Sequence, residues 1–358
     1  MSTELSDLIR KLSEIYDADS KDTFVTVYLS KKTGEKYINQ RENSCMKLLD
    51  KDEQQNFEST LEMVKKALKQ STSHYLAIFA SSKHHLLEVY PLPVELHDSF
   101  VVDSSPYIRP LARIQDEFES YTLVLVNTHQ AKIYSVSLGE FTQEKRLSKD
   151  IMNKHKKGGW SQPRFQRLRK GAIHEFFTEV VEYLEKHADN HLVLAGPGTA
   201  KKQFFDMLPQ HLQKKVIDTL DVDIDDEQEL FEMSSDAMED YETKQGVQAV
   251  DRLKQEILKD GLAVYGLEET LQAAQNGQVD TLIIQKDYKL KGCLCEHCQL
   301  VKAGPIKDCP LCGGPTTEAD VVEEIIEFAL RTNAQIEFTD AEALHELGHI
   351  GALLRFKL

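Results

Sequence analysis

Short runs of β-branched and aromatic residues alternate with longer stretches whose apolar positions recur every three or four residues. This alternation constrains the fold more than any other feature of the chain. Residues 23–29, 75–79 and 85–90 have strand composition, while residues 1–20 and 38–68 are helical in pattern, the latter with Phe57, Leu61, Val64 and Leu68 on one face. Residues 121–126 and 131–136 pair as a hairpin. A long helix is expected over 163–187, its stripe made by Phe165, Leu168, Ala172, Phe176, Val180 and Leu184. Strand 191–195 runs into Gly196-Pro197-Gly198 and a helix from Lys201. After an acidic stretch at 221–227, a helical run reaches about residue 259. Residues 263–266 and 279–284 then bracket a helix, and a helix at 320–332 precedes strands at 335–338 and 350–356. Such alternation builds α/β units. A chain of 358 residues has room for two or three of them. Pro91, Pro93, Pro106 and Pro110 place the first boundary near residues 110–118. The expected fold class is therefore α/β, of the α+β multidomain kind. Three domains in series are expected: residues 1–116, 117–250 and 251–358.

Charge is distributed unevenly. The net charge is −16, yet residues 145–170 hold ten cations (Lys145, Arg146, Lys149, Lys154, Lys156, Lys157, Arg164, Arg167, Arg169 and Lys170) against the single acid Asp150. A local reversal of sign on this scale points either to a polyanion partner or to a solvated loop. Within it, Gly158-Gly159 can bring a bare backbone close to a partner, and Pro163 suits the first turn of the following helix. Trp160, the one tryptophan, is flanked by glycine, lysine and serine. That setting favours an exposed ring that stacks on a base or inserts into a cavity. The overall acidity argues against a general nucleic-acid coat protein and leaves room for one basic contact site. No apolar run approaches the roughly 20 residues that span a bilayer, and the amino terminus lacks the pattern of a secretion signal.

Five of the six cysteines lie between residues 293 and 312. Cys295-x2-Cys298 and Cys309-x2-Cys312 have the spacing of two knuckles around one tetrahedral Zn²⁺. Four thiolates close the coordination sphere, so the expected role is structural. Clustering of this kind indicates a reducing compartment rather than a disulfide framework. Cys293 and His297 are substitutes or bystanders, and Cys45 is expected to be a buried hydrophobe. His345-Glu346-Leu347-Gly348-His349 matches the metalloprotease pattern, but that chemistry needs both imidazoles on one helix and a third ligand beyond. Gly348 and Gly351 interrupt the run, and the remaining residues read as a strand, which argues against a catalytic metal. Gly196-Pro197-Gly198-Thr199-Ala200-Lys201 lacks phosphate-loop spacing and reads as a strand-to-helix turn.

Residues 158–169, Gly-Gly-Trp-Ser-Gln-Pro-Arg-Phe-Gln-Arg-Leu-Arg, continuing to His174-Glu175-Phe176, resemble the middle domain of the archaeal and eukaryotic class I peptide chain release factors. The family carries Gly-Gly-Gln followed by Arg-Phe-x-Arg at this place. Residues 263–267, 279–282, the inserted cysteine knuckles and the ending at 347–356 are similar to its last domain, which shares a fold with kink-turn-binding ribosomal proteins. The resemblance covers about residues 120–358. Two departures stand out. Trp160 occupies the family's glutamine position, with a glutamine displaced to Gln162, and no Asn-Ile-Lys-Ser loop is found in residues 1–115.

The resemblance implies hydrolysis of the peptidyl-tRNA ester on the ribosome, in termination or in rescue of stalled ribosomes. Gly158, Gly159, Trp160 and Gln162 would be the catalytic residues, and Lys156, Lys157, Arg164, Arg167 and Arg169 would contact RNA. Cys295, Cys298, Cys309 and Cys312 would hold structural zinc. The alternative is a non-catalytic ribosome-binding factor for hibernation, stalling or recycling, whose loop occupies the peptidyl-transferase centre. The implied partners are ribosomal RNA, peptidyl-tRNA and a translational GTPase, and the expected state is a cytoplasmic monomer.

Overall fold

The computed structural model describes every residue except 1, 18, 19, 21, 31, 33, 93, 95, 97, 152–161, 223–226, 296, 299 and 358. Helix α1 (Ser2–Ser13) buries Leu5, Ile9 and Leu12 at helical spacing. The first apolar run becomes β1 (Phe24–Ser30), followed by α2 (Gly34–Cys45) and α3 (Lys51–Gln70). The helical pattern over 38–68 is thus two helices. Asp50 interrupts it by capping the second, its N–H donating to the Glu53 carboxylate at 3.3 Å. Strands β2 (Tyr75–Ser81), β3 (Leu86–Leu92) and β4 (Ser99–Asp103) complete an antiparallel sheet ordered β3-β2-β1-β4. Phe57, Leu61, Val64 and Leu68 of α3 pack on Val25, Val27 and Ile78. Cys45 is half-buried at the edge of this core rather than within it. Helix α4 (Arg109–Glu117) fills the stretch read from sequence as a boundary.

Residues Phe118–Lys244 form a compact unit of their own. Strands β5 (Tyr121–Val126), β6 (Gln130–Ser137) and β7 (Glu140–Ser148) run antiparallel. Helix α5 (Gln162–His187), strand β8 (His191–Ala195), helices α6 (Thr199–Met207) and α7 (Gln210–Gln213) and strand β9 (Val216–Leu220) follow. The sheet order is β7-β6-β5-β8-β9, with β5, β8 and β9 parallel. Side chains alternate faces along β5. Val124 and Val126 meet Phe176, Phe177, Val180 and Phe204 of α5 and α6. Leu123 and Leu125 instead meet Leu230, Ala237 and Met238 at the start of α8 (Glu227–Leu258). Covering both faces explains why β5 and β8 are continuous apolar runs.

The rest of α8, from Gln245, belongs to the other unit, which joins Thr3–Glu117 to Gln245–Leu358. Its carboxyl-terminal part continues with β10 (Ala263–Tyr265), α9 (Leu267–Gln275), β11 (Val279–Gln285), β12 (Lys291–Cys295), β13 (Val301–Ala303) and β14 (Thr316–Asp320). Helix α10 (Val321–Arg331), β15 (Gln335–Thr339), a 3-10 helix (Glu342–Leu347) and β16 (Ile350–Leu354) close it. Strands order as β10-β16-β11-β15, with α9 and α10 on one face and Val250 and Leu253 of α8 on the other. The inserted sheet β13-β12-β14 lies between β11 and α10 in sequence. Within this unit Arg109, 5% exposed, joins the two portions. Its guanidinium donates to Asp320 at 3.2 Å and to the Tyr288 carbonyl at 2.6 Å.

Candidate functional site

The basic segment divides into parts. Lys145 and Arg146 are strand residues of β7 rather than loop residues, and Lys145 lies over the Tyr183 ring, 5.9 Å from its centroid. Lys149 pairs with Glu175 at 2.8 Å, which holds that carboxyl below its ordinary range. Lys156, Lys157, Gly158, Gly159 and Trp160 lie outside the described residues. Gln162 opens α5.

Helix α5 has two unlike halves. From Phe176 onward its apolar residues are buried against the sheet, with Phe176, Phe177 and Val180 at 0% exposure. Before that point the cover thins, with Ala172 and Ile173 half-buried, and then ends. Phe165 is 45% exposed and Leu168 57% exposed, so the sequence expectation that they share the core is corrected. Arg164, Arg167 and Lys170 are exposed beside them, and Arg169 is half-buried with an Nε that has no hydrogen-bond partner. The first turns of α5 therefore present cations interleaved with apolar surface. Such a surface can meet phosphates and unstacked bases together.

The cysteine prediction assembles in three dimensions. The Sγ atoms of Cys295, Cys298, Cys309 and Cys312 all lie within 4.8 Å of one another, with Cys295–Cys312 and Cys298–Cys309 each at 3.5 Å. A Zn–S length near 2.3 Å implies S–S separations of about 3.8 Å in a tetrahedron, so the four fit one ion. Cys295 ends β12 and Cys298 follows in the turn. Gly313, at φ +72°, turns the chain directly after Cys312 and donates its N–H to the Cys309 carbonyl at 2.9 Å. N–H groups of Leu311 and Gly314 reach the sulfurs of Cys309 and Cys312, both at 3.4 Å. Desolvation pushes the Cys309 thiol up, but the N–H groups of Cys312 and Leu311 and its sulfur neighbours outweigh it and hold it down to about 6. Cys298 is pushed up to about 12 by desolvation and by neighbouring sulfurs. A shared dication would offset the repulsion among ionised thiols. Cys293 and His297 stand outside the cluster.

His345 and His349 do not share an α-helix. The first sits on the 3-10 helix and the second, at φ +67°, precedes the buried β16. Their rings are 5.0 Å apart, and His349 stacks on Tyr288 and hydrogen-bonds Gln285. Among the described residues, the four cysteines are the only group of three or more ligands close enough to share a metal ion. Gly196-Pro197-Gly198 is a tight turn into α6, and the buried Lys201 pairs with Asp221 at 2.7 Å. Of the acidic stretch, Glu227 accepts from Lys132 at 2.6 Å and Tyr134 at 2.9 Å, so it caps structure rather than binding metal. No described helix is long and apolar enough to cross a membrane.

Comparison with known proteins places this architecture among translation factors of one kind. The sequence model of "Bacterial archaeo-eukaryotic release factor family 10" matches residues 106–240, and that of "eRF1 domain 3" matches residues 243–358. Peptide chain release factor subunit 1 of Archaeoglobus fulgidus is 31% identical, over 76% of this chain and 74% of that protein. The same-named protein of Methanococcus maripaludis is 28% identical, over 100% of this chain and 99% of that one. A solved structure of Saccharomyces cerevisiae Dom34, a translation termination-like factor, covers 99% of this chain at 11% identity and a TM-score of 0.45. The chain belongs to the archaeal and eukaryotic class I peptide chain release factor family.

Proposed function

We propose that this chain is a ribosome-associated, release-factor-like protein that hydrolyses the peptidyl-tRNA ester in translation termination or in rescue of stalled ribosomes. The observation that supports the reading is the sequence Gly158-Gly159-Trp160-Ser161-Gln162 running directly into the uncovered basic half of α5, in a chain of this family. Ester hydrolysis needs a placed water and a donor for the developing oxyanion. Gly158 and Gly159 would pass through a narrow RNA channel, Trp160 would supply its backbone N–H or stack, and Gln162 would position or exclude water. Lys156, Lys157, Arg164, Arg167 and Arg169 would bind phosphates, with Phe165 and Leu168 resting on RNA between them. Cys295, Cys298, Cys309 and Cys312 would hold one structural Zn²⁺, which cross-links the inserted sheet and takes no part in the hydrolysis. The chain is read as three domains in series, 1–116, 117–250 and 251–358, the last docking a translational GTPase.

One observation favours a second reading. An indole at position 160, where the family has a slim amide, suits a factor that occupies the peptidyl-transferase centre without cutting. Purified ribosomes carrying labelled peptidyl-tRNA, with an empty A site or a stop codon, separate the two. Hydrolysis predicts release by the native protein that Gly159→Val lowers about a hundredfold, since misplacing the reacting groups by an ångström costs that much. Gln162→Ala would report on the displaced glutamine, and the two ribosome substrates separate rescue from termination. Ribosome binding without release in either arm would leave the occupancy reading standing.

A further inference from the structure

Between β4, the residues leading into β12, and α10 lies a cavity of about 540 Å³, within the roughly 300–1,000 Å³ range of small-molecule sites. We propose that this cavity binds a small organic polycation of the diamine or polyamine class, held by Glu323 and its neighbouring carboxylates. Glu323, 7% exposed, lines the cavity. Its Oε1 accepts from the Arg109 N–H at 3.2 Å, and its Oε2 is buried without a hydrogen-bond partner. Two of the adjacent acids are already engaged. Glu327 accepts from Ser105 at 2.8 Å and from Arg331 at 3.0 Å. Asp320 accepts from Arg109 and from the N–H groups of Leu290 and Val322. Glu323 Oε2 is thus a buried acceptor in the cavity wall that the fold leaves without a partner, and buried acceptors are rarely left so.

The wall chemistry selects the ligand. Acids come from three elements: Asp103 on β4, Glu318 and Asp320 on β14, and Glu323, Glu324 and Glu327 on α10. The lining cations are Lys289 and Lys291, and Lys291 pairs with Glu318 where both are exposed, at 2.9 Å. The interior of the cavity is therefore acidic. A divalent metal is a poor match, because these carboxylates do not converge as the cysteines do. Ammonium groups spaced along a methylene chain suit separated carboxylates, and the chain between them would lie on Val101, Leu290 and Ala319.

Proton linkage gives the site a signature. Burial pushes the Glu323 and Glu324 carboxyls well up, and it holds Glu327 at about 7 against the opposing pull of Arg331 and Ser105. Asp103, Asp320, Tyr107 and Arg109 face the same carboxyls, the acids favouring the protonated form and Arg109 the ionised one. An ammonium among them favours ionisation, so binding releases protons and tightens as pH rises.

Isothermal titration of the full chain with spermidine and with putrescine tests this. Saturable one-site binding is expected, tighter at pH 8 than at pH 6, with proton release seen as different heats in buffers of different ionisation enthalpy. Glu323→Gln, which keeps an acceptor for Arg109, should weaken binding about tenfold, the worth of one charge-assisted hydrogen bond. Glu185→Gln, exposed on α5 and outside the cavity, should leave it unchanged, and matching melting curves of the unliganded proteins would establish that each variant folds. No saturable binding of either amine, unchanged binding by Glu323→Gln, or displacement of spermidine by an equal concentration of Mg²⁺ would overturn the assignment.

Discussion

Gly196 ends β8 at φ +148°, and a Cβ there would collide with the carbonyl oxygen of Val126 on β5. Both the dihedral and the space require glycine, and the obstacle is backbone that cannot swing aside. Gly196→Ala is expected to destabilise Phe118–Lys244 by about 3 kcal/mol or more, measured by denaturant unfolding. Gly139→Ala also places alanine at positive φ, but nothing lies near its Cβ, so it should cost about 1 kcal/mol. Legibility in the sequence follows the same division between local and distant causes. The Cys-x2-Cys knuckles were readable because each is set by residues two or three apart. The Glu323 site was not, because Arg109, which bonds Glu323, and Ser105, which bonds the neighbouring Glu327, come from more than 200 residues away in sequence. Nothing in Val-Val-Glu-Glu-Ile-Ile-Glu distinguishes the buried carboxyls from a solvated helix face.

At the scale of elements, strands buried on both faces announced themselves and exposed ones did not. β5 and β8 are continuous apolar runs. β7 has the burial pattern of an edge, with seven of nine residues exposed, and its Glu-Phe-Thr-Gln-Glu-Lys-Arg-Leu-Ser carries no clean alternation. Pattern alone therefore does not separate it from the basic segment that follows. Helix α5 misled in the opposite direction. Its apolar stripe is real, but the layer that would cover Phe165 and Leu168 ends near Ile173, and pattern alone does not show where a core stops. Helix α10 yields a test at this scale. Glu327 titrates at about 7 in the folded chain and near 4.5 when unfolded, so the native state binds the extra proton between those values. Stability from this group is present below pH 4.5 and is lost as pH rises to about 7. Glu327→Gln should flatten the decline in unfolding free energy across that window, by at most about 1.4 kcal/mol per pH unit. Denaturant titrations at pH 5, 6 and 7 measure the slope. An unchanged slope would mean that the carboxyl is ionised throughout.

For the whole molecule, the two compact units have separate cores, and the cysteine cluster belongs to only one of them. Leu294 and Val301 of the inserted sheet are 5% and 2% exposed because they join the core made with Val321, Ile325 and Ile326 of α10. The short strands β12, β13 and β14 cannot keep that arrangement alone, since a small three-stranded sheet lacks a core of its own. Metal held by Cys295, Cys298, Cys309 and Cys312 would therefore stabilise the unit made of Thr3–Glu117 and Gln245–Leu358 through packing some distance from the sulfurs. Stripping it should uncover Leu294 and Val301, at roughly 1.5–3 kcal/mol for each fully buried side chain. The core of Phe118–Lys244 includes none of these residues. Calorimetry of the zinc-loaded protein and of protein stripped by a chelator should show one transition falling on the order of 5–10 °C and the other unmoved. Cys309→Ser should reproduce the loss without chelator. If both transitions fall together, the units are energetically coupled and the metal supports the whole chain. If neither falls, the sulfurs are not what holds the inserted sheet, and packing against α10 is sufficient by itself.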